Sequence, residues 1–297
     1  MTPHNAGKSQ VHHTPVLLKE VLDALGVFQA GVYIDCTVGE GGHTEAILNA
    51  DPKCQVLGLD RDTSALATAR DRLAPFGQRV RLAVSSYAMM VDQAQEHGLF
   101  PADGALMDLG ISSLQLAEDG RGFSFQRDDP LDMRFGPDGK TLAESVVNRY
   151  SERALVNVLR EYGEEPRARR IARAIVQNRP LHTTGELANV VTGVIGRRGR
   201  IHPATRTFQG IRIEVNQELK TLKAGLTAAI EVLKPGGRLI VISYHSLEDR
   251  EVKLMMRESP VLKVITKKPI SASQEEVRVN PRSRSARMRV SERLDGG

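Results

Sequence analysis

The segment formed by residues 32–43 restricts the fold of this chain more than any other part of the sequence. Its first four residues are of the kind found in strands and end in Asp35, and a turn containing Gly39, Gly41 and Gly42 follows them. A helical stretch begins directly after the turn. A strand, a glycine-rich loop and a helix in this order let a ligand approach backbone N–H groups closely, so the segment predicts a ligand-binding unit.

A second acid ends the next apolar run of the chain. Residues 55–60 read as a strand whose last residue is Asp60. In a parallel sheet the tip of the second strand lies beside the glycine-rich loop of the first, and a carboxylate there can hold the two ribose hydroxyls of an adenosine-type cofactor. The two segments together predict a Rossmann-like domain that binds such a cofactor.

The loop distinguishes between two cofactors. A dinucleotide fingerprint that starts at Gly39 requires its last glycine at position 44, where Thr44 stands. Asp35, which leads the loop, can accept hydrogen bonds from the ammonium group of S-adenosylmethionine but would repel the pyrophosphate of NAD. The loop therefore favours S-adenosylmethionine. The alternatives are an NAD-dependent dehydrogenase and a glycine-rich turn that binds nothing.

The order of strands and helices predicts an α/β fold with a doubly wound, mostly parallel sheet. Further strands are expected at residues 80–84, 104–110, 238–244, 261–266 and 286–291. Between them, a long helix carries apolar residues on one face from Ile211 to Leu233. Residues 1–112 and 207–297 are expected to form the cofactor domain, interrupted by a helical substrate-recognition subdomain at 113–206.

Two helix starts can be read from polar residues. Thr183 and Glu186 have the spacing of a capping box, in which each side chain bonds to the backbone of the other residue. Ser246 and Asp249 have the same spacing directly after the strand expected at 238–244. We therefore predict helices that begin at both places.

Charge and composition argue against several classes of protein. The chain has 297 residues, a formal net charge of +5 and two cysteines, Cys36 and Cys54. The sequence contains neither an apolar run of transmembrane length nor the apolar core of a signal peptide, and no Cys/His cluster has the spacing of a metal site. These features predict a cytoplasmic enzyme without metal or membrane contacts, and the basic balance suits a polyanionic partner.

Arginines concentrate in two segments, residues 197–206 and 278–293. The first contains Arg197, Arg198, Arg200 and Arg206, and the second contains Arg282, Arg284, Arg287 and Arg289. Such clusters suit contacts with RNA phosphates, and a solvated charged face is the alternative. Phe123 and Phe125, which lie in a glycine-containing loop, either stack on an extruded base or pin that loop to the core.

Eight short motifs form a series along the chain. They lie at residues 13–17, 39–43, 108–113, 121–125, 130–134, 205–209, 243–250 and 280–286. Together they closely resemble the bacterial 16S ribosomal RNA cytosine-N4 methyltransferase family, the RsmH or MraW type, over residues 13–293. The resemblance implies a class I methyltransferase that depends on S-adenosylmethionine and modifies a cytidine of the ribosomal decoding centre.

The resemblance also bears on partners. It implies that 16S ribosomal RNA within the small ribosomal subunit is the partner of this chain. An RNA-binding ribosome-assembly factor without catalysis is the alternative. A homodimer is compatible with the sequence, which does not decide the oligomeric state.

A set of cofactor contacts follows from the same resemblance. Tyr87, which stands where relatives often have Phe, would stack on the adenine, and Asp108 would lie beside the reacting centre. A core or surface aromatic is the alternative for Tyr87, and a helix cap is the alternative for His43. The implied contacts are Gly41, Gly42, His43, Asp60, Tyr87, Asp108 and Gln115, and the loop argument adds Gly39.

The type of methylation can be narrowed from residue types. Methylation at carbon 5 of a pyrimidine needs a cysteine nucleophile near the fourth strand, and neither Cys36 nor Cys54 is placed there. Methylation of an exocyclic nitrogen instead needs hydrogen-bond acceptors and an in-line approach to the sulfonium methyl. The fourth strand ends in Asp-Leu-Gly-Ile rather than the Asp/Asn-Pro-Pro-aromatic sequence of many amino-methyltransferases. The predicted acceptor is Asp108, and the further catalytic candidates are Ser112, Ser113 and His245. For His245 the alternative is a purely structural role at the end of a buried strand.

Overall fold

A seven-stranded sheet runs through the protein, and the computed structural model describes residues 14–27, 30–111, 119–137, 139–196 and 202–295. The strands are β1 (Val32–Asp35), β2 (Gln55–Asp60), β3 (Val80–Val84), β4 (Ala102–Asp108), β5 (Leu233–Ser243), β6 (Leu262–Val264) and β7 (Arg287–Arg293). Their order is β3-β2-β1-β4-β5-β7-β6. Strand β7 is antiparallel to both neighbours and the other pairs are parallel, which confirms the predicted doubly wound α/β fold.

Helices cover both faces of this sheet and form a further layer after β4. Within the described ranges they are α1 (Leu18–Leu25), α2 (Gly42–Ala50), α3 (Thr63–Leu73), α4 (Met90–Glu96), α5 (Ala143–Arg149), α6 (Glu152–Glu161), α7 (Ala168–Gln177), α8 (Thr184–Ile195), α9 (Thr205–Asn216), α10 (Glu218–Val232), α11 (Ser246–Glu258) and α12 (Gln274–Val279). Among the described residues, no helix has the combination of length and apolar character that crossing a membrane requires.

The sheet is buried on both faces because successive side chains of a strand point in opposite directions. Tyr33 of β1 belongs to the hydrophobic cluster that contains Ile47 of α2, whereas its neighbour Ile34 belongs to the cluster that contains Leu226 of α10. The strand order reverses between β1 and β4, and such a switch point opens a crevice at the carboxyl ends of the strands. The fold therefore places a ligand site beside the tips of β1, β2 and β4.

A separate hydrophobic core lies in the helical region between β4 and α10. It contains buried residues of α5 to α8, and Phe208, Ile211 and Val215 of α9 also belong to it. The Thr183–Glu186 capping box begins α8 as predicted. The division of the chain at residues 113–206 stays a prediction, since this core continues beyond residue 206 into α9.

The single long helix predicted up to Leu233 is wrong. The chain forms two helices, α9 and α10, which meet at Gln217 with a left-handed φ of 51°. Nε and Nη2 of Arg212 donate to the two Glu218 carboxylate oxygens, each at 2.8 Å, across this corner. The Asn216 amide donates to the Met133 carbonyl oxygen at 2.8 Å. Contacts with distant residues therefore stabilise the bend, and no proline or glycine at the bend itself predicts it.

Candidate active site

A cavity opens at the carboxyl ends of β1, β2, β4 and β5. Of the residues predicted to contact a cofactor, its lining includes Gly39, Gly42, His43, Asp60, Tyr87 and Asp108. Gly41 lies in the same loop but is not part of the lining. Ser112, Ser113 and Gln115, which the sequence also nominated, lie outside the described residues. The fold thus brings together side chains from segments that are far apart in the chain.

The glycine-rich loop packs tightly against the protein itself. Gly41 has a φ of +83°, and a β-carbon built there would lie 3.1 Å from the Leu73 side chain of α3. A β-carbon on Gly42 would lie 2.5 Å from Cγ of Pro15. Glycine is therefore needed at these positions for the packing of the loop against α3 and residue 15, in addition to any ligand that approaches it.

Helix α2 presents its N-terminus to the cavity. Its first intrahelical bond runs from the Glu45 N–H to the Gly41 carbonyl oxygen at 2.8 Å, so the N–H groups of residues 42–44 precede the hydrogen-bonding ladder. Gly42 and His43 line the cavity. Such an end attracts anions through its exposed donors and the helix dipole, and the carboxylate of a methionine moiety meets that requirement.

The prediction that Asp35 binds an ammonium group of the cofactor is corrected by the structure. Asp35 is 1% exposed, and its Oδ2 accepts from the Thr44 hydroxyl at 2.7 Å while its Oδ1 accepts from the Thr37 N–H at 3.3 Å. Burial raises the pKa of this carboxyl, against the lowering effect of His43. Asp35 therefore fastens the loop to α2 from beneath, and it is absent from the cavity lining.

Asp60 is both a structural anchor of the loop and a wall of the cavity. Its Oδ2 accepts from the Gly39 N–H and its Oδ1 accepts from the Asp62 N–H, each at 2.9 Å. Burial raises the pKa of Asp60 to about 6 although these two N–H groups lower it. Each carboxylate oxygen has a second lone pair, so Asp60 retains the capacity to accept from two ribose hydroxyls.

Tyr87 packs in the core and also lines the cavity. Its ring lies over Gly225 of α10, where a β-carbon would come within 2.3 Å of the Tyr87 Cδ2 atom. Burial, reinforced by the charges of Glu218 and Glu248, raises the pKa of its hydroxyl above the usual value. The ring is part of the core packing and also lines the cavity, as a stacking platform for a planar base requires.

Asp108 is held by three neighbours at the tip of β4. Its N–H donates to the Thr37 hydroxyl oxygen at 2.7 Å, and its Oδ1 accepts from the Tyr244 hydroxyl at 2.8 Å. Its Oδ2 lies 4.0 Å from Nδ1 of His43, and the side chain is 20% exposed. Oδ1 is therefore engaged by Tyr244, and Oδ2 is the oxygen of Asp108 that can accept a hydrogen bond from a ligand in the cavity.

His43 contacts both the N-terminal segment and the acid. Its Nε2 lies 3.0 Å from the Val16 carbonyl oxygen, which can only accept, so Nε2 carries the hydrogen. The other ring nitrogen, Nδ1, lies 4.0 Å from Oδ2 of Asp108. His43 thus lies between the cavity wall formed by residues 14–16 and the tip of β4.

Sequence reasoning missed Thr37 and Tyr244. The structure brings both to Asp108, from 71 and 136 residues away respectively. One signal for Tyr244 was available, because it directly follows strand β5, and β5 pairs in parallel with β4 through Asp108 and Ile242. Residues that follow neighbouring parallel strands meet at the same edge of a sheet.

His245 has a structural function in the described protein. It is the N-cap of α11, and with Glu248 it forms a capping box, so the predicted cap formed by Ser246 and Asp249 is wrong by one residue. His245 lines an adjacent cleft with Ser246, Ser271, Arg284 and Arg287, and it does not line the cavity itself. A catalytic role for His245 stays a prediction.

A group of metal-ligand types also lies beside the cavity. Within the described residues, Glu218, His245 and Glu248 bring their donor atoms within 4.8 Å of one another. The Nδ1 atom of His245 accepts from the Glu248 N–H at 3.4 Å, so its hydrogen is on Nε2, 3.1 Å from the Glu248 carboxylate. Arg212 already neutralises Glu218. Glu248 and Arg212 thus already contact two members of this group, and the lack of a metal stays a prediction.

The two cysteines lack the features of a nucleophile. Cys36 lines the cavity, but it is 1% exposed and its sulfur lies 3.8 Å from the Met90 sulfur. Burial raises the pKa of the Cys36 thiol well above the usual value and also raises that of Cys54. A covalent mechanism through either thiol is therefore disfavoured.

The phenylalanines of the 121–125 motif pack in the helical core. Phe123 is 8% exposed and stacks on Phe135 with ring centroids 5.6 Å apart. Phe125 stacks on His202 at 4.3 Å and meets the edge of Phe208. Of the two roles left open by the sequence, these contacts support the one in which the rings pin their own loop.

The helical region also forms a wall of the cavity. The Phe135 N–H donates to Asn216 Oδ1 at 2.8 Å, and both residues line the cavity. Arg121 reaches from the same region to the Asp62 carboxylate at 3.0 Å, and Asp62 caps α3 behind the Asp60 strand. Contacts between the two parts of the molecule therefore lie directly at the site.

The predicted arginine clusters differ in what they can contact. Arg289 is 7% exposed and binds both oxygens of Asp249 at 2.6 and 3.1 Å, so its expected contact with phosphate is corrected. Arg284 and Arg287 are exposed on the cleft beside Tyr244. Arg282 lines the cavity and donates to the Ile111 carbonyl oxygen. Arg197, Arg198 and Arg200 lie outside the described residues.

Comparison with known proteins adds a family to this geometry. Residues 10–294 match the model of the MraW methylase family. A protein of Cyanothece sp. named Ribosomal RNA small subunit methyltransferase H is 49% identical over 284 residues, covering 95% of each chain. Proteins of the same name from Symbiobacterium thermophilum and Dehalococcoides mccartyi are each 47% identical, covering 96% and 95% of this chain and 98% and 86% of their own lengths.

Proposed function

This chain belongs to the MraW methylase family, and from that premise we propose that it transfers a methyl group from S-adenosylmethionine to the exocyclic N4 of a cytidine in the decoding centre of 16S ribosomal RNA. Membership of a methylase family sets aside the NAD-dependent dehydrogenase and the factor without catalysis. The reaction belongs to the cytoplasm, where ribosomal subunits are assembled.

One observation carries the proposal: the acid suited to a ribose and the acid suited to an amino group line the same cavity. Asp60 would accept from the ribose hydroxyls, the N-terminus of α2 would receive the methionine carboxylate, and Tyr87 would stack on the adenine. The sulfonium would then lie between the glycine-rich loop and Asp108. The bound cofactor supplies an electrophilic methyl group.

Asp108 would orient the amino group that receives the methyl. The lone pair of a cytosine amino group is delocalised into the ring, and an acceptor on N–H favours the geometry in which it becomes available. Oδ2 of Asp108 is suited to that contact because Oδ1 is already engaged by Tyr244. As the N–C bond forms and the S–C bond breaks, N4 becomes cationic and gives up one proton, for which Asp108 is the nearest carboxylate in the proposed pose.

The RNA would reach this cavity as a single strand with its base extruded. Asp108 is only 20% exposed, so a base held in a helix cannot reach it. The helical region at residues 113–206 would form the recognition subdomain, since Phe135 and neighbouring Asn216 form one wall. Arg284 and Arg287, exposed on the adjacent cleft, would contact phosphates beside the target base.

Transfer of a labelled methyl group tests the proposal. Small-subunit particles from a strain that lacks this enzyme should accept about one methyl per particle, and digestion to nucleosides should yield N4-methylcytidine. Particles from the unmodified strain are the matched control, because their site is already methylated. Label on carbon 5 or on a ribose oxygen would contradict the proposed chemistry, and label on another RNA would contradict the proposed substrate.

A further inference from the structure

Tyr244 and Gly110 form a contact that joins the ends of β4 and β5. A β-carbon on Gly110 would lie 2.7 Å from Cε2 of Tyr244, so only glycine lets the ring approach this closely. From that position the Tyr244 hydroxyl donates to Oδ1 of Asp108 at 2.8 Å. The aromatic ring beside Asp108 thus comes from Tyr244 after β5, and Gly110, two residues after Asp108, leaves the space for this ring.

We propose that Tyr244 is the positioning residue of the methyl transfer: its hydroxyl fixes the Asp108 carboxylate so that Oδ2 faces the amino group of the substrate. This inference rests on the proposed function of Asp108. The carboxylate would otherwise rotate about its Cβ–Cγ bond, and either oxygen would face the cavity. The Thr37 hydroxyl binds the Asp108 backbone, and the His43 ring is 4.0 Å from Oδ2, so the hydrogen bond from Tyr244 is the contact that orients the carboxylate.

The environment of Tyr244 suits a permanent donor. Burial and the negative charge of Asp108 raise the pKa of its hydroxyl well above the usual value, so the proton stays on Tyr244 throughout the working pH range. A donor that never loses its proton keeps Oδ1 engaged during the reaction. Tyr244 therefore acts through Asp108 and exchanges no proton with the substrate.

The decisive variant is Tyr244→Phe, which removes the hydroxyl and keeps the ring against Gly110. The single-turnover rate at saturating S-adenosylmethionine should fall by about 10–100-fold, the range for losing a hydrogen bond to a charged group whose contribution is made in the transition state. Affinity for S-adenosylmethionine by calorimetry and for small-subunit particles by filter binding should change by less than about twofold. A parallel loss of cofactor affinity would overturn the inference, because Tyr244 would then serve the cofactor site.

Tyr150→Phe is the matched control. The Tyr150 hydroxyl donates to the Glu214 carboxylate at 2.7 Å within the helical region, away from the cavity lining. It therefore reports the general effect of losing a tyrosine–carboxylate hydrogen bond. The rate of this variant should match that of the unmodified protein.

A double-mutant cycle with Asp108→Ala separates this inference from the function on which it rests. If Tyr244 works through Asp108, Tyr244→Phe should lower the residual rate of Asp108→Ala by less than about threefold. Fully multiplicative effects would overturn the inference. A silent Tyr244→Phe beside a strongly impaired Asp108→Ala would overturn it while leaving the proposed function intact, whereas an active Asp108→Ala would remove the proposed role of Asp108 itself.

Discussion

The two halves of the cavity are assembled in different ways. In the cofactor half, Gly39 and Asp60 are 21 residues apart and bind each other directly, within two consecutive strand–helix units. In the reacting half, Asp108 is held by Thr37 and Tyr244 from 71 and 136 residues away. The contact between the glycine-rich loop and Asp60 is therefore formed within one local segment, whereas the contacts of Asp108 exist only when the whole sheet has formed.

We expect the two halves to affect two different free energies, that of cofactor binding and that of the transition state. Groups of the cofactor half are proposed to contact a ligand in its ground state, so their loss should appear as lost binding. Groups of the reacting half are expected to act mainly in the transition state, so their loss should appear as lost rate. A single variant that lost both cofactor affinity and the rate at saturating cofactor would contradict this division of the cavity.

The largest effect is expected for Asp108→Asn. This change replaces an acceptor oxygen with an amide that can also donate, at the place where the amino group of the substrate must be oriented. Single-turnover methyl transfer at saturating cofactor should fall by roughly 10²–10⁴-fold, the range for a positioned acid–base group, with particle binding nearly unchanged. If saturating S-adenosylmethionine restores the rate, Asp108 belongs to the cofactor half.

The next effect is expected for Asp60→Ala. The variant loses the acceptor for the ribose hydroxyls and also releases the Gly39 and Asp62 N–H groups. The cost should be about 1.5–3 kcal/mol in binding of S-adenosylmethionine, measured by calorimetry. The rate at saturating cofactor should stay close to that of the unmodified protein, and unchanged affinity in a folded variant would refute the assignment of Asp60.

A smaller effect is expected for Gly42→Ala, measured as stability. The new β-carbon would lie 2.5 Å from Cγ of Pro15, and accommodating it should cost about 1–3 kcal/mol in the free energy of unfolding, as overpacking generally does. Gly193→Ala in α8 is the control, because nothing lies within 4 Å of its β-carbon position and alanine favours a helix by roughly 0.5–1 kcal/mol. Equal stabilities of the two variants would show that the loop does not depend on this contact.

The same contrast explains what the sequence could predict. Strand β3 has its predicted bounds and Thr183 begins α8, because hydrophobic pattern and capping chemistry are local. The bend at Gln217 was not predictable, since it depends on hydrogen bonds between Asn216 and both Met133 and Phe135, which are 83 and 81 residues away respectively. Interactions of that range carry no local signal.

Within the site, the locally encoded residues were also the predictable ones. The loop glycines and Asp60 follow from one motif, and Gly39, Gly42 and Asp60 line the cavity. Asp35 was assigned to the cofactor because a carboxylate can bind an ammonium group. In the structure its carboxylate instead accepts a hydrogen bond from the hydroxyl of Thr44, nine residues further along the chain. Tyr244 was missed because its partner Asp108 lies on another strand, and only the pairing of β4 with β5 reveals their contact.

The smallest effect, and the sharpest for the cofactor half, is a pH dependence of binding. Burial raises the pKa of Asp60 in the ligand-free protein to about 6. Ribose hydroxyls donate to the ionised carboxylate, so binding requires the proton to leave, and affinity for S-adenosylmethionine should be constant above pH 7 and weaken below pH 6. At pH 5 the loss should be about tenfold, since one proton is taken up per unbound site. The stability of the ligand-free fold changes with pH in the opposite direction to the cofactor affinity. Because the pKa of Asp60 is raised, the folded state holds this proton more tightly than the unfolded state does. The contribution of Asp60 to the free energy of unfolding therefore falls as the pH rises from about 4 to 6. Calorimetric titrations between pH 5 and 8 measure the first effect, and Asp60→Asn, which cannot ionise, should remove that part of the slope. A slope that persists undiminished in Asp60→Asn would assign the titration to another group of the cavity and separate Asp60 from the ribose.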